Sequence, residues 1–173
     1  MQTTNKLRPG QPFAPVTFKQ LDGSDVTLGA PGGWQALLVD RGQHCPICKT
    51  YPGEIEKRRA AFAEPGVAVA AVSADSEAQT RLTAEVAKPG FPLLYGMDEA
   101  MMRAPGLYIS EPRSPREADH RFPEPALFRV NPEGALYLVD IANAPFPRRD
   151  PDRLAGGLRF VIEENYPIRG TGK

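Results

Sequence analysis

The chain has 173 residues, with 21 Lys or Arg against 21 Asp or Glu, so its formal net charge at pH 7 is zero. That length holds one domain with a sizeable core, and residues 1–173 read as a single one. The even charge balance argues against a nucleic-acid or anionic-membrane partner, both of which select a basic excess.

Residues 1–11 carry no apolar run, so no secretory leader is expected. The longest apolar stretch, residues 67–72, falls far short of the roughly 20 residues that a membrane span needs. A cytoplasmic location is the expectation. The 19 prolines are about twice the usual share; they bunch between apolar runs, as loop stiffeners.

In chain order, Val16-Thr17-Phe18 and Val26-Thr27-Leu28 flank the turn signal Asp22-Gly23 and predict a leading β-hairpin. Residues 36–39 form a short unbroken apolar run, as in a strand buried on both faces. The segment Arg41-Gly42-Gln43-His44-Cys45-Pro46-Ile47-Cys48 follows and opens a helix, with Pro46 at its first position. That helix is expected to run to about Ala63, kinked at Pro52-Gly53, and to end at Pro65-Gly66. Residues 67–72 predict a second buried strand, completing a right-handed βαβ unit with parallel strands. A polar amphipathic helix over 76–88 comes next, then a short strand over 92–95 and a helical turn or two over 98–103. Residues 104–124, with Pro105, Pro112, Pro115 and Pro123, show no period. Strands over 126–130 and 135–139 flank the turn Asn131-Pro132-Glu133-Gly134, and Asp150-Pro151 caps a final helix reaching about Asn165. This order places a central mixed sheet between helices, an α/β fold.

The chemistry-bearing motif is Cys45-Pro46-Ile47-Cys48. Residues three apart on a helix share a face, so the two sulfurs can meet. Cys45, at the helix start, faces unpaired backbone N–H groups and the positive end of the helix dipole. Both favour thiolate, which is the nucleophile. Cys48, one turn in, is placed to attack a sulfenic acid or mixed disulfide on Cys45. Arg41 and His44 adjoin Cys45 and would add positive charge if their side chains turn toward it. A structural disulfide would close too small a loop to stabilise much. Zinc needs four N or S ligands, and only His44 and His120 remain to supplement the cysteines. Redox chemistry is the main reading. A non-catalytic binding or redox-sensing module and a zinc-binding domain stay open.

At these residues the chain resembles the peroxiredoxin-like branch of the alkyl hydroperoxide reductase/thiol-specific antioxidant (AhpC/TSA) family, within the thioredoxin-like superfamily. The resemblance extends to Pro9-Gly10-Gln11-Pro12-Phe13-Ala14-Pro15, Leu21-Asp22-Gly23-Ser24, Gly106-Leu107-Tyr108-Ile109-Ser110, Glu124-Pro125-Ala126-Leu127-Phe128 and the closing Tyr166-Pro167-Ile168-Arg169-Gly170. It implies a thioredoxin-like fold with an N-terminal hairpin extension, no cofactor, and a peroxide or disulfide substrate. It also implies a thioredoxin- or glutathione-type reductant and a homodimer. It places at Pro125 a cis-proline facing the active cysteine, with the Glu124 backbone free to pair with substrate. The family pattern Pro-x-x-x-Thr-x-x-Cys is not kept. Counting back from Cys45 gives Gly42 and Leu38, and from Cys48 gives Cys45 and Arg41. The family's arginine would fall near Pro125, leaving Arg41 or Arg121 as substitutes.

Overall fold

A computed structural model describes residues 7–172; residue 173 and residues 1–6, where the expected lack of an apolar leader begins, lie outside it. In chain order the elements are β1 (Val16–Gln20), β2 (Asp25–Leu28), β3 (Trp34–Val39), α1 (Pro46–Glu56), α2 (Arg59–Ala63), β4 (Val67–Val72), α3 (Glu77–Ala87) and β5 (Leu93–Tyr95). Then come α4 (Glu99–Arg103), β6 (Ile109–Ser110), β7 (Phe122–Pro123), β8 (Ala126–Val130), β9 (Leu136–Ile141) and α5 (Pro151–Glu163).

Seven strands make one mixed sheet in the order β2-β1-β5-β4-β3-β8-β9. β3 pairs parallel with β4, and β4 with β5, as helical crossovers require. The remaining pairs in that sheet are antiparallel. The leading hairpin joins it through β1 and β5. Its turn is closed by Gly23 N–H donating to Gln20 O (2.9 Å) and Ser24 N–H to Asp22 Oδ1 (2.8 Å). Gly23 stands at φ +86°, where a side chain would be strained.

Strand periodicity sorts the core into two faces. Leu37 and Val39 join Phe13, Phe18, Ala70, Val72, Leu94, Met102 and Phe128 on one side. Ala36 and Leu38 join Tyr51, Ile55, Phe62, Leu127, Leu154 and Leu158 on the other. β3 is buried from Ala36 to Val39 and β8 along its whole length, while β4, the longer apolar run, leaves Ala68 exposed.

Two expectations need correction. The helix expected to reach Ala63 is two helices, and the break lies at Lys57-Arg58 rather than at Pro52-Gly53. Pro52 sits inside α1. Past Glu56 the backbone tightens: Arg58 N–H donates to Ile55 O (2.9 Å), and Arg58 leaves the helical region at φ −111°, ψ 15°. Arg58 then forks onto Asp152 of α5 with two bonds of 2.9 Å, an inter-element tie that local sequence does not encode. Second, residues 104–124 are not without regular structure. β6 and β7 pair antiparallel into a small ribbon. Its far end is held by Arg113 on Glu117 and by Arg121 on Glu99 and Glu111.

Phe128, 1% exposed, lies with its ring centroid 5.6 Å from that of Phe13. Phe128→Ala is expected to cost about 3–5 kcal/mol through lost burial and the cavity left behind. Urea unfolding with an unchanged m-value would show it.

Candidate active site

The chain passes from β3 to α1 in six residues, and each does a structural job. Asp40 N–H still pairs with Val72 O (2.9 Å), extending the sheet by one residue. Gly42 then turns at φ +117°. A Cβ there would run into the Asp75 carboxylate, which accepts the Gln43 N–H at 2.7 Å. Cys45 is the N-cap of α1, with Pro46 at the first helical position. Its sulfur takes the place of the usual capping oxygen: it accepts the Cys48 N–H at 3.4 Å.

Both thiols are free and buried, Cys45 at 3% exposure and Cys48 at 1%. Cys48 Sγ–H donates to Cys45 Sγ at 2.6 Å. That bond, above all, pulls the Cys45 pKa down to about 6, helped by the Cys48 N–H and by the charge and hydrogen bond of Arg41, against the opposing effect of burial. Cys48 is pushed up, chiefly because it is the donor, and further by burial and by the Asp40 charge. The arrangement favours the thiolate on Cys45 and the thiol on Cys48.

Arg41 lies near enough to Cys45 to favour its thiolate. Arg41 Nε lies 3.3 Å from Glu124 Oε2, its guanidinium carbon 4.8 Å from the Phe122 ring centroid. Glu124 also accepts the Ser110 hydroxyl at 2.6 Å. The β6–β7 ribbon and the residue after it thus grip the arginine beside Cys45. His44 is turned to an aromatic neighbour. Its ring packs on Phe122 at 4.4 Å between centroids, and burial, with Arg41 nearby, holds its pKa down. Arg121 is engaged by Glu99 and Glu111.

Pro125 differs from expectation. Among the described residues every peptide bond is trans. The backbone around Pro125 is committed to the fold: Glu124 N–H donates to Tyr108 O (2.8 Å) and Pro125 O accepts from Ala142 N–H (2.9 Å). The Glu124 N–H is thus taken. Pro125 instead walls a small cavity with Leu38, Tyr51 and Arg148.

Several residues at the site carry no local sequence signal. Arg148, 100 residues from Cys48, donates from Nη2 to Cys48 Sγ at 3.0 Å and pairs with Asp40 Oδ1 at 2.5 Å. Its guanidinium carbon is 4.7 Å from the Tyr51 ring centroid, and the Tyr51 hydroxyl donates to Arg149 O at 2.8 Å. Only Asp40 was open to notice, as a carboxylate closing an apolar strand. Among the described residues, no three His, Cys, Asp or Glu side chains gather to hold a metal ion, and no helix is long and apolar enough to cross a membrane.

The lowered Cys45 pKa has a pH signature. Below about pH 6 the sulfur is protonated and slow; above it, thiolate and fast. Alkylation by iodoacetamide is expected to rise with a midpoint near pH 6. Arg41→Gln removes a neighbouring positive charge and is expected to move that midpoint up by about one unit; an unmoved midpoint would show that Arg41 plays no part.

Comparison with known proteins bears on the family and the fold. The AhpC/TSA family model matches residues 9–139. Among solved structures, the fold is similar to peroxiredoxin 6 of Arenicola marina (TM-score 0.77, 14% identity, covering 92% of this chain and 76% of that one). It is similar to AhpC of Mycobacterium tuberculosis (TM-score 0.74, 17% identity, 94% and 97%) and to AhpC of Enterococcus faecalis (TM-score 0.70, 20% identity, 92% and 97%). At these identities the likeness is one of fold. No curated protein sequence matches the chain. With the family model spanning most of its length, the chain belongs to the AhpC/TSA family.

Proposed function

We propose that the protein is a thiol-dependent oxidoreductase that reduces hydroperoxides with the dithiol Cys45–Cys48. The observation that supports this reading is the approach of two free thiols, Cys45 Sγ and Cys48 Sγ, to 2.6 Å at a helix N-terminus, as a nucleophile and a resolving thiol would require. The Cys45 thiolate attacks the terminal peroxide oxygen and the O–O bond breaks. Cys45 becomes a sulfenic acid, and the alkoxide or hydroxide leaves to take up a proton. Cys48 then attacks the Cys45 sulfur. An intramolecular disulfide forms, and the hydroxyl departs with the Cys48 proton as water. A dithiol reductant of thioredoxin or glutathione type resets the pair. Arg41 favours the Cys45 thiolate, and Pro125 lines the small cavity that it shares with Tyr51 and Arg148.

Burial of both sulfurs favours a small oxidant over a folded protein disulfide. One observation supports a second reading, thiol–disulfide exchange: no hydroxyl-bearing residue stands three positions before Cys45, where the family pattern has threonine.

Stopped-flow reaction of the reduced protein with hydrogen peroxide, an organic hydroperoxide and a model disulfide separates these chemistries by rate. Cys45→Ser is expected to lose at least about a hundredfold in oxidation rate. Cys48→Ser is expected to oxidise once and then stall as a sulfenic acid, trapped by dimedone and weighed by mass spectrometry. Full activity of Cys45→Ser, or no reaction of the wild type with any of the three oxidants, would leave a binding or sensing module.

A further inference from the structure

We infer that Arg148 is a positioning residue for Cys48: shared between Asp40 and Cys48, it sets when Cys48 ionises and so paces the closing of the disulfide. This rests on the reading of Cys45 and Cys48 as the redox pair. It adds a control on the second sulfur, reached from a part of the chain distant in sequence.

The geometry carries the inference. Arg148 Nη2 touches both acids at once, Asp40 Oδ1 at 2.5 Å and Cys48 Sγ at 3.0 Å. Arg148 and Asp40 are each about nine-tenths buried, so their charges are poorly screened by solvent. Tyr51 lies against the guanidinium. Its own hydroxyl is turned to Arg149 O and is pushed up to about 12, mainly by burial, so it is neutral and adds no competing anion. The other charged or titratable neighbours of Cys48 are Cys45, at the start of α1, and Asp40, at the end of β3. From β4, β5 and α3, the small cavity next to Cys48 is lined by uncharged groups, among them Ser73, Thr80, Thr83 and Leu94.

In the resting state Cys48 keeps its proton on the bond to Cys45, and the Asp40 charge keeps it there while taking most of the arginine's attraction. Oxidation of Cys45 to sulfenic acid or a mixed disulfide removes the thiolate that accepted that proton. Cys48 must then ionise to attack. Arg148, already 3.0 Å away, is the charge that can stabilise the new thiolate by leaning from the carboxylate to the sulfur. The bond formed is Cys45 Sγ–Cys48 Sγ. The bond broken is S–O of the sulfenic acid, or S–S of the mixed disulfide, and the leaving hydroxide or thiolate takes up the proton that Cys48 gave.

The two members of the pair therefore pull Cys48 in opposite directions, which a structural role would not do. In full-length protein carrying Cys45→Ser, the thiolate absorbance of Cys48 is titrated against pH. Arg148→Gln is expected to move the midpoint up by about one unit, a tenfold loss of thiolate at fixed pH; Asp40→Asn is expected to move it down. With Cys45 intact, Arg148→Gln is expected to slow disulfide closure at least about tenfold more than it slows Cys45 oxidation, with sulfenic acid accumulating. If Arg148→Gln alone does not fold, the double variant Asp40→Asn/Arg148→Gln leaves no unpaired buried charge, and its midpoint is expected above that of Asp40→Asn. Shifts of the same sign, or a double variant that matches Asp40→Asn, would overturn the inference. Failure of wild-type Cys45 to react with any oxidant would instead overturn the proposed function, and the Cys48 titrations would still be decided separately.

Discussion

The end of β3 is the constraint on which the site depends. The strand is held between a parallel neighbour and an antiparallel one, and its last backbone bond is made at Asp40. Six residues later α1 must begin. That turn is possible because Gly42 adopts a positive φ and leaves room for the Asp75 carboxylate. Asp75 in turn holds the Gln43 N–H. With the loop so fixed, Asp40 points its carboxylate beneath the helix start, Arg41 lies beside it, and Cys45 arrives as its cap.

Around that turn the charges are arranged in two pairs. Arg41 with Glu124 stands by the first thiol, and Arg148 with Asp40 by the second. Burying an ion pair costs desolvation that its Coulomb attraction often only repays. Neither pair therefore needs to be explained by stability. Each places a guanidinium against a sulfur, and each guanidinium also lies on an aromatic ring, Phe122 or Tyr51. The carboxylates keep the sites near neutral while the cysteines change charge.

Much of this was legible in the residues themselves. The inner strands showed as short apolar runs, the hairpin turn as Asp-Gly, and the neighbouring cysteines as a pair at a helix start. Pro46 and the spacing alone placed Cys45 at the cap. Arg41 was visible because it is four residues from Cys45. The pieces that escaped are those whose meaning is tertiary. Arg148 sits in a Pro-flanked stretch without period and gains its role only when that stretch folds against Tyr51 and Cys48. Ser110 and Phe122 belong to a ribbon with two residues in each strand, too short for alternation to announce it, and Glu124 directly follows it. At the break at Lys57-Arg58, Arg58 pairs with Asp152 of α5, a contact that local sequence does not announce. The Glu124 N–H and Pro125 carbonyl are taken by Tyr108 and Ala142, partners far off in sequence. In each case a contact across the fold overrode the local signal.

The separation between Cys48 and Arg148 also bears on how the protein is made. The dithiol and its helix lie in the first third of the sequence, while the guanidinium on Cys48 comes from beyond β9. Contacts so distant along the chain close late, because loop entropy must be met before they form. During synthesis the two thiols therefore exist for a time without the charge that settles Cys48, and without the ribbon that grips Arg41. Their distinct acidities belong to the finished fold alone. A nascent chain carries two ordinary cysteines, and the reactive pair appears only once the sheet is complete.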